Sequence, residues 1–219
     1  SGRRHRIGDL TRPLRQPQAR EKVMLVFSKQ KLVFLATPKT GSTAIETALS
    51  GLASVVIMRP PQLKHTPAAR FQRFLAPWLQ AAQGDQFELC ALMREPKDWL
   101  GSWYRYRQRE GVPPARSTRG VSFDAFVRAY CSKDRPEYAD VGSQAQFLST
   151  KDGAVDHIFR YERMEDFVDF LEERLDCSIT LPRINVSPEG ATELSRETGE
   201  LLAKTCAADF ALYESLGRR

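Results

Sequence analysis

Residues 32–49 read LVFLATPKTGSTAIETAL and contain three local patterns in succession. Residues 32–35 form a short, continuous apolar run, which is typical of a buried strand. Apolar residues recur at helical spacing over residues 44–49. The residues between these two patterns are small, hydroxylated or basic. The stretch therefore predicts a strand, a tight loop and a helix.

The predicted loop carries the groups that bind phosphate. The first N–H groups of a helix have no partner within the helix, and the helix dipole favours an anion at this end. Gly41 allows the backbone to approach a ligand closely, and Ser42 and Thr43 add hydroxyl donors. Lys39 adds a positive point charge. We therefore expect this loop to bind a phosphate-like anion.

The order of residues distinguishes the loop from a Walker A motif. That motif, G-x-x-x-x-G-K-[ST], places its lysine directly after the second glycine. Here Lys39 follows Pro38 and precedes Gly41, the only glycine of the loop. The order Pro-Lys-Thr-Gly-Ser-Thr resembles the 5′-phosphosulfate loop of sulfotransferases that use 3′-phosphoadenosine 5′-phosphosulfate (PAPS). The resemblance implies that Lys39 stabilises the leaving oxygen, and that the phosphosulfate is held by Thr40, Gly41, Ser42 and Thr43.

A second junction between a strand and a helix follows about fifty residues later. Residues 87–93 read as a buried strand, and residues 97–110 as a helix. Pro96 suits the first turn of that helix, and Arg94 would lie at the carboxyl end of the strand, where open α/β sheets bind ligands. The pattern Arg-x-Pro-x5-Ser-x-Tyr resembles the 3′-phosphate-binding element of the same family. The resemblance assigns the 3′-phosphate to Arg94 and Ser102.

Two further groups of side chains recur on this second helix. Arg105 and Arg109 share a stripe with Ser102, because they follow it at spacings of three and then four residues. For these two arginines, a ligand-binding role and a solvated face remain equal alternatives. A neighbouring stripe contains Trp99, Trp103 and Tyr106, which we predict to pack in the core.

Sulfuryl transfer also requires a base that takes the proton of the acceptor hydroxyl. We expect the base near the carboxyl end of the neighbouring strand, which the pattern predicts at residues 55–58. His65 follows that strand. In carbohydrate sulfotransferases a His or Glu after the second sheet strand is the base, so the resemblance favours His65. Glu46, on the first helix, is the alternative base.

The resemblance extends loosely to three later segments. Residues 159–166 are similar to the family's R-Y-E-x-L-x-x-D stretch, and residues 209–213 to its C-terminal D-[FY]-x-L-[YF] helix. Arg183 and Ser187 lie where the family has a loop that closes over the nucleotide. The acceptor itself is expected to be selected by variable loops, at residues 59–73 and 111–120.

Together these features predict a PAPS-dependent sulfotransferase of the carbohydrate type. It would transfer a sulfuryl group directly to a hydroxyl of a saccharide or small molecule, leave 3′-phosphoadenosine 5′-phosphate (PAP), and need no metal. Two alternatives stay open. A P-loop-type nucleotide kinase or nucleotidase would need Mg²⁺ and a carboxylate to hold it. A non-catalytic protein would bind PAP or another nucleotide without turnover.

Composition narrows the class of protein. A chain of 219 residues with 42% hydrophobic and 27% charged residues is typical of one globular domain. Residues 1–22 carry seven basic and two acidic groups, a net +5 of the total +6. We therefore predict a flexible basic arm over 1–22 and a sulfotransferase domain over 23–219. The arm lacks aromatic residues, so nucleic-acid binding is not expected.

The cellular context is predicted from three absences in the sequence. No run of eighteen apolar residues occurs, so we expect no membrane span. No apolar signal region is visible near the N-terminus. The four cysteines are dispersed and lack zinc spacing, which is typical of reduced thiols in the cytoplasm. A protein whose N-terminal anchor has been removed stays open as an alternative. The sequence does not predict the oligomeric state.

The remaining periodicity predicts an α/β domain. Strands alternate with helices, which indicates a P-loop-like, three-layer domain with a mainly parallel sheet of four or five strands. The first two strands are close enough in sequence for a hairpin, and Pro77 is expected to break or kink its helix. The predicted strands are 23–27, 32–35, 55–58, 87–93 and 155–159, and the predicted helices are 42–52, 68–83, 97–110, 122–131, 164–175 and 195–216.

Overall fold

A mixed five-stranded sheet forms the centre of the protein. The structure, a computed structural model, describes residues 24–57, 63, 65–182 and 192–216. The sheet has the order β3-β1-β2-β4-β7, and β5 pairs with β6 in a separate short hairpin. The strands are β1 (Met24–Phe27), β2 (Leu32–Leu35), β3 (Val55–Ile57), β4 (Glu88–Met93), β5 (Ser149–Thr150), β6 (Gly153–Ala154) and β7 (His157–Arg160).

Strand direction differs from the expected mainly parallel sheet in one respect. The pairs β2–β4 and β4–β7 are parallel, whereas β1 is antiparallel to both β2 and β3. Four strands therefore run in one direction and β1 runs against them. The predicted hairpin explains this reversal, because the short turn at residues 28–31 can join only antiparallel strands.

Helices cover both faces of the sheet, so the predicted three layers are present. They are α1 (Ser42–Leu49), α2 (Ala68–Arg70), α3 (Ala76–Gln83), α4 (Pro96–Arg107), α5 (Phe123–Cys131), α6 (Gln144–Leu148), α7 (Met164–Leu175), α8 (Arg196–Thr205) and α9 (Ala207–Ser215). Single 3₁₀ turns occur at Pro114–Arg116 and Tyr161–Arg163. Among the described residues, no helix has both the length and the apolar character needed to cross a bilayer.

The alternation of side chains along the strands builds two cores. On one face Phe34 packs in a cluster with Ile45 of α1 and Phe167 of α7. On the other face Val33 packs in a cluster with Phe71 and Leu148. Because successive side chains of a strand point to opposite faces, a strand that is covered on both sides is apolar throughout. This explains why all four residues of β2 are buried.

The predicted break at Pro77 takes the form of a change in helix type. A π-helical turn, Phe71–Leu75, separates α2 from α3, and Ala76 N–H bonds to the carbonyl of Phe71. Pro77 lies in the first turn of α3. A proline there has no N–H to donate, and its ring would clash with the carbonyl four residues earlier in a regular α-helix. The bond from Ala76 to Phe71 spans five residues, so the regular α-helical hydrogen-bond pattern is interrupted just before Pro77.

Several predicted elements differ at their ends. The helix predicted at 195–216 is two helices, which meet at Cys206. The strand predicted at 155–159 begins later, at His157. Helix α6 and the β5–β6 hairpin have no counterpart in the prediction, since elements of two to five residues are too short to show periodicity. The predicted arm, residues 1–22, lies outside the described residues.

Candidate functional site

The loop between β2 and α1 has an unusual backbone. Lys39 has φ of 68° and Gly41 has φ of 72°, so both adopt the left-handed conformation. Gly41 is also the N-cap of α1. Because glycine has no side chain, no side chain at this position caps the N–H groups of the first turn. The ends of β2 and α1 are therefore joined by a tight turn that presents main-chain N–H groups at the start of a helix.

The hydroxyl groups of this loop are buried and divided between two tasks. Thr40 Oγ1 donates to the carbonyl of Thr37 at 2.9 Å, so it closes the turn. Ser42 is 2% exposed, and its Oγ has no hydrogen-bond partner among the described residues. Thr43 is also buried. A buried hydroxyl without a partner is costly, and an anion bound at the helix N-terminus would satisfy it.

Aromatic residues of α4 contact Pro38 and Lys39 of this loop. Trp99 Nε1 donates to the carbonyl of Pro38 at 2.8 Å. The Lys39 ammonium lies 3.3 Å from the ring centroid of Tyr106 and 5.0 Å from that of Trp103. Trp99 is buried in a third core cluster, but Tyr106 is 40% exposed. The prediction of plain core packing is thus wrong for Tyr106, which contacts the loop lysine.

Arg94 lies directly after β4, at the carboxyl end of the strand, as predicted. The side chain of Gln144 holds its backbone on both sides: Arg94 N–H donates to Gln144 Oε1 at 2.9 Å, and Gln144 Nε2 donates to the Arg94 carbonyl at 2.8 Å. Gln144 is itself positioned by Asp209, whose Oδ1 accepts its N–H at 2.9 Å. No sequence motif indicates Gln144, because its role depends on a contact across fifty residues.

Arg94 and Arg105 form a pair of neighbouring positive charges. Burial lowers the pKa of the Arg105 guanidinium, and the charge of Arg94 lowers this pKa further, against the opposing effect of Asp98. The Nε atoms of both arginines are buried and have no hydrogen-bond partner among the described residues. Ser102, which is 6% exposed, lies one turn before Arg105 on α4. Two guanidinium groups and a hydroxyl suit a phosphate dianion.

Tyr161 connects the two candidate anion sites. The Arg94 guanidinium lies 4.8 Å from the centroid of its ring. The edge of the same ring packs against Gly41, where an added Cβ would lie 2.9 Å from Tyr161 Cε2. The sequence resemblance included Tyr161 without a role, and the structure shows it between the loop and Arg94.

The two predicted bases lie close to the loop in different ways. His65 Nδ1 is 2.7 Å from the carbonyl oxygen of Ala36, at the end of β2. A carbonyl only accepts, so Nδ1 carries a proton, and in the neutral ring the basic lone pair is on Nε2. Glu46 is 4% exposed on α1, four residues after Ser42 and therefore on the same helical face.

The strand that precedes His65 in sequence has a different place in the sheet from the one predicted. Strand β3 is not adjacent to β2, because β1 lies between them. His65 nevertheless lies beside the end of β2, because its Nδ1 contacts the carbonyl oxygen of Ala36. Arg109 is exposed and lies over Tyr106 at 5.4 Å, in keeping with a solvated face. Arg183 and Ser187 lie outside the described residues.

Comparisons with known proteins add no family to this geometry: no family model matches the chain, and no curated protein matches it significantly. Within the described residues, no group of three or more His, Cys, Asp or Glu side chains is arranged to hold a metal ion.

Proposed function

We propose that this protein transfers a sulfuryl group from PAPS to an acceptor hydroxyl and releases PAP. The proposal is supported above all by two separate groups of residues suited to anions, both at the carboxyl ends of neighbouring strands of the sheet. One is the β2–α1 loop, and the other is the pair Arg94 and Arg105. Tyr161 lies against both Gly41 of the loop and the Arg94 guanidinium, so the two groups of residues are neighbours.

Two separate sites match the charge pattern of this donor. PAPS carries a phosphosulfate on its 5′ carbon and a phosphate on its 3′ carbon, whereas ATP carries its charge as one continuous chain. A helix N-terminus suits the 5′ group. The paired guanidinium groups of Arg94 and Arg105 suit an isolated dianion at the 3′ position. In the proposal Ser102 adds its hydroxyl to the 3′ site.

In the proposal, different residues bind the donor, stabilise the leaving oxygen and take the acceptor proton. The 5′-phosphosulfate is bound by the main-chain N–H groups and hydroxyls of Thr40, Gly41, Ser42 and Thr43. Lys39 moves from its aromatic contacts to the bridging oxygen, where negative charge grows as the bond to sulfur breaks. His65 takes the acceptor proton through Nε2, while Nδ1 stays anchored to Ala36. Glu46 is the alternative base.

Isothermal titration tests the proposal directly. PAP, ATP and AMP are titrated into the wild type, into Arg94→Ala, and into Arg196→Ala as a control. Arg196 is suitable because its side chain is 93% exposed and pairs only with Glu200 among the described residues. We expect PAP to bind at micromolar concentration, Arg94→Ala to lose at least tenfold in affinity, and Arg196→Ala to bind like the wild type.

The competing functions predict other results. ATP binding equal to or tighter than that of PAP, with hydrolysis that depends on Mg²⁺, would overturn the proposal in favour of a kinase or nucleotidase. Tight PAP binding without release of PAP from PAPS in the presence of any acceptor would indicate a non-catalytic binding protein.

A further inference from the structure

A cleft of about 200 Å³ opens beside the candidate phosphate loop. Thr37 and Pro38 of the loop form one wall, Trp99 of α4 and Pro67 form others, and the rest comes from the segment 141–147. Pro38 immediately precedes Lys39, and Pro67 follows His65 by two residues. The residues that line the cleft are therefore close in sequence to Lys39, the proposed charge stabiliser, and to His65, the proposed base.

Most polar groups in the wall are already engaged within the protein. Ser143 Oγ donates to Asp209 at 2.9 Å and accepts from Gln146 N–H at 3.2 Å. The side-chain amide of Gln144 makes both of its hydrogen bonds to the backbone of Arg94. Asp209 also accepts N–H groups from Gln144 and Ala145, which fixes this wall in place. The exception is Thr37 Oγ1, which is buried and has no hydrogen-bond partner among the described residues. The wall thus offers few free partners to a polyhydroxylated ligand.

The rest of the wall is apolar. Its surface comes from rings and aliphatic carbon of Pro38, Pro67, Trp99, Val141 and Phe147. Pockets for drug-sized ligands are larger, about 300 Å³ or more, so the volume here suits a single ring. Among the described residues the walls include none from segment 111–120, one of the two predicted acceptor loops, whereas Pro67 belongs to the other.

We propose that this cleft binds the acceptor, and that the acceptor is a hydroxyl on a compact apolar ring, most simply a phenol, rather than a free sugar. The inference rests on the proposed function and narrows its substrate class. The acceptor oxygen forms the new bond to sulfur while the bond from sulfur to the 5′-phosphate oxygen of PAP breaks. The acceptor proton passes to His65.

Desolvation is the physical basis of this selectivity. An apolar ring leaves water at no cost, and only its one reacting hydroxyl needs a partner. A sugar of the same size would bring several hydroxyls against carbon, and each unpaired one lowers affinity by about tenfold or more. We therefore expect kcat/KM for 4-methylphenol to exceed that for methyl glucoside by at least 100-fold.

The test combines turnover with direct binding. PAP release from PAPS is measured with 4-methylphenol, cyclohexanol and methyl glucoside, and binding of 4-methylphenol is measured by titration with and without saturating PAP. Val141→Phe fills the cleft, and Gln146→Trp, at an exposed position, covers its mouth. Val168→Phe is the matched control, because Val168 is a partly buried valine of α7 that does not line the cleft. Thermal unfolding establishes that each variant is folded.

We expect both cleft variants to lower kcat/KM and affinity for 4-methylphenol at least tenfold while their PAP affinity stays within twofold of the wild type. We expect Val168→Phe to stay within twofold of the wild type in all three quantities. Equal turnover of methyl glucoside, or normal 4-methylphenol binding in both folded cleft variants, would overturn the inference even if PAP binds. Failure of PAP to bind would instead contradict the proposed function, and binding of 4-methylphenol without PAP still reports on the cleft.

Discussion

The ring of Tyr161 packs so closely on Gly41 that a Cβ at this glycine would lie 2.9 Å from Tyr161 Cε2. The glycine is needed for a second reason, since its φ of 72° is disfavoured for residues with a Cβ. Tyr161 in turn lies against the guanidinium of Arg94. The ring of Tyr161 therefore lies against both the loop and Arg94, which belong to the two proposed anion sites.

Gly41→Ala should separate these two effects when it is compared with Gly84→Ala. Gly84 has nearly the same φ, 76°, but a Cβ there would have no atom within 4 Å. Both variants lose about 1 kcal/mol of unfolding free energy from the backbone, and Gly41→Ala loses a further 1–3 kcal/mol, roughly, from overpacking. Urea denaturation measures the difference.

The same comparison has a functional readout. We expect Gly41→Ala to lower PAP affinity at least tenfold and Gly84→Ala to leave it unchanged. Adding Tyr161→Ala to Gly41→Ala should recover part of the lost stability, because the clash is removed. Equal stability of the two glycine variants would show that Tyr161 does not limit this position.

Lys39→Ala should reduce kcat by about 100-fold or more, as for other groups that stabilise charge in the transition state. Since the ammonium lies over Tyr106 in this structure, its contribution to ground-state binding is small, and PAP affinity should stay within a few fold. PAP release in the presence of an acceptor, at saturating PAPS, measures this effect. Lys204→Ala, at an exposed position of α8, is the control, and near-normal kcat in Lys39→Ala would remove the proposed role.

His65→Asn distinguishes a base from a structural histidine. The Asn amide nitrogen can replace Nδ1 as the donor to Ala36, but the variant has no group equivalent to Nε2. We expect a melting temperature close to that of the wild type, a loss of about 100-fold or more in kcat, and loss of the acidic limb of the pH–rate profile. If the profile is unchanged, Glu46→Gln becomes the variant that should abolish it.

Arg105→Ala should weaken PAP binding at least tenfold and leave AMP binding unchanged, because AMP lacks the 3′-phosphate. We place Arg105 at the 3′-phosphate because its buried Nε has no hydrogen-bond partner among the described residues and because it lies near the charge of Arg94. Arg109→Ala is the matched control on the same helix, since Arg109 is exposed over Tyr106. Equal losses for PAP and AMP would assign Arg105 to the 5′ site or to general electrostatics.

The ionised carboxyl of Glu88 should make the free energy of unfolding depend on pH. Its Oε2 accepts from Arg174 Nη1 at 2.6 Å and lies 3.2 Å from His157 Nε2. The hydrogen bond from Arg174, followed by that from His157, holds the pKa of this carboxyl below its ordinary value of 4.5 despite some burial. A lowered carboxyl pKa means that the contribution is present above pH 4.5 and is lost as the pH falls through the lower, folded-state value.

Glu88→Gln should therefore be less stable than the wild type at pH 7, and the difference should shrink as the pH falls below 4.5. Because the carboxyl is about half exposed, solvent screening limits the difference to about 1 kcal/mol or less. Urea denaturation across this range measures it, with Glu200→Gln on α8 as a control for an exposed helix pair. A difference that does not shrink as the pH falls below 4.5 would show that the contribution does not come from the charge of Glu88.

Local patterns predicted much of the fold. Helix α7 spans the predicted residues, and α5 begins after Ser122, whose Oγ caps it by accepting from Ala125 N–H. The reversal of β1 follows from its short connection to β2. Short elements such as α6 were missed because five residues do not complete two helical turns.

The sequence by itself determined the strand, loop and helix at residues 32–49, since apolar periodicity and a glycine in a tight turn are local properties. Only the tertiary structure decided which side chains meet there. The parallel register of β2 and β4, with Leu35 opposite Ala91, brings the loop and Arg94 to one edge of the sheet. Contacts such as Trp99 with Pro38 and Gln144 with Arg94 depend on that packing, across separations of 61 and 50 residues. Sequence spacing carries no information about such contacts, because the path of the intervening chain sets them.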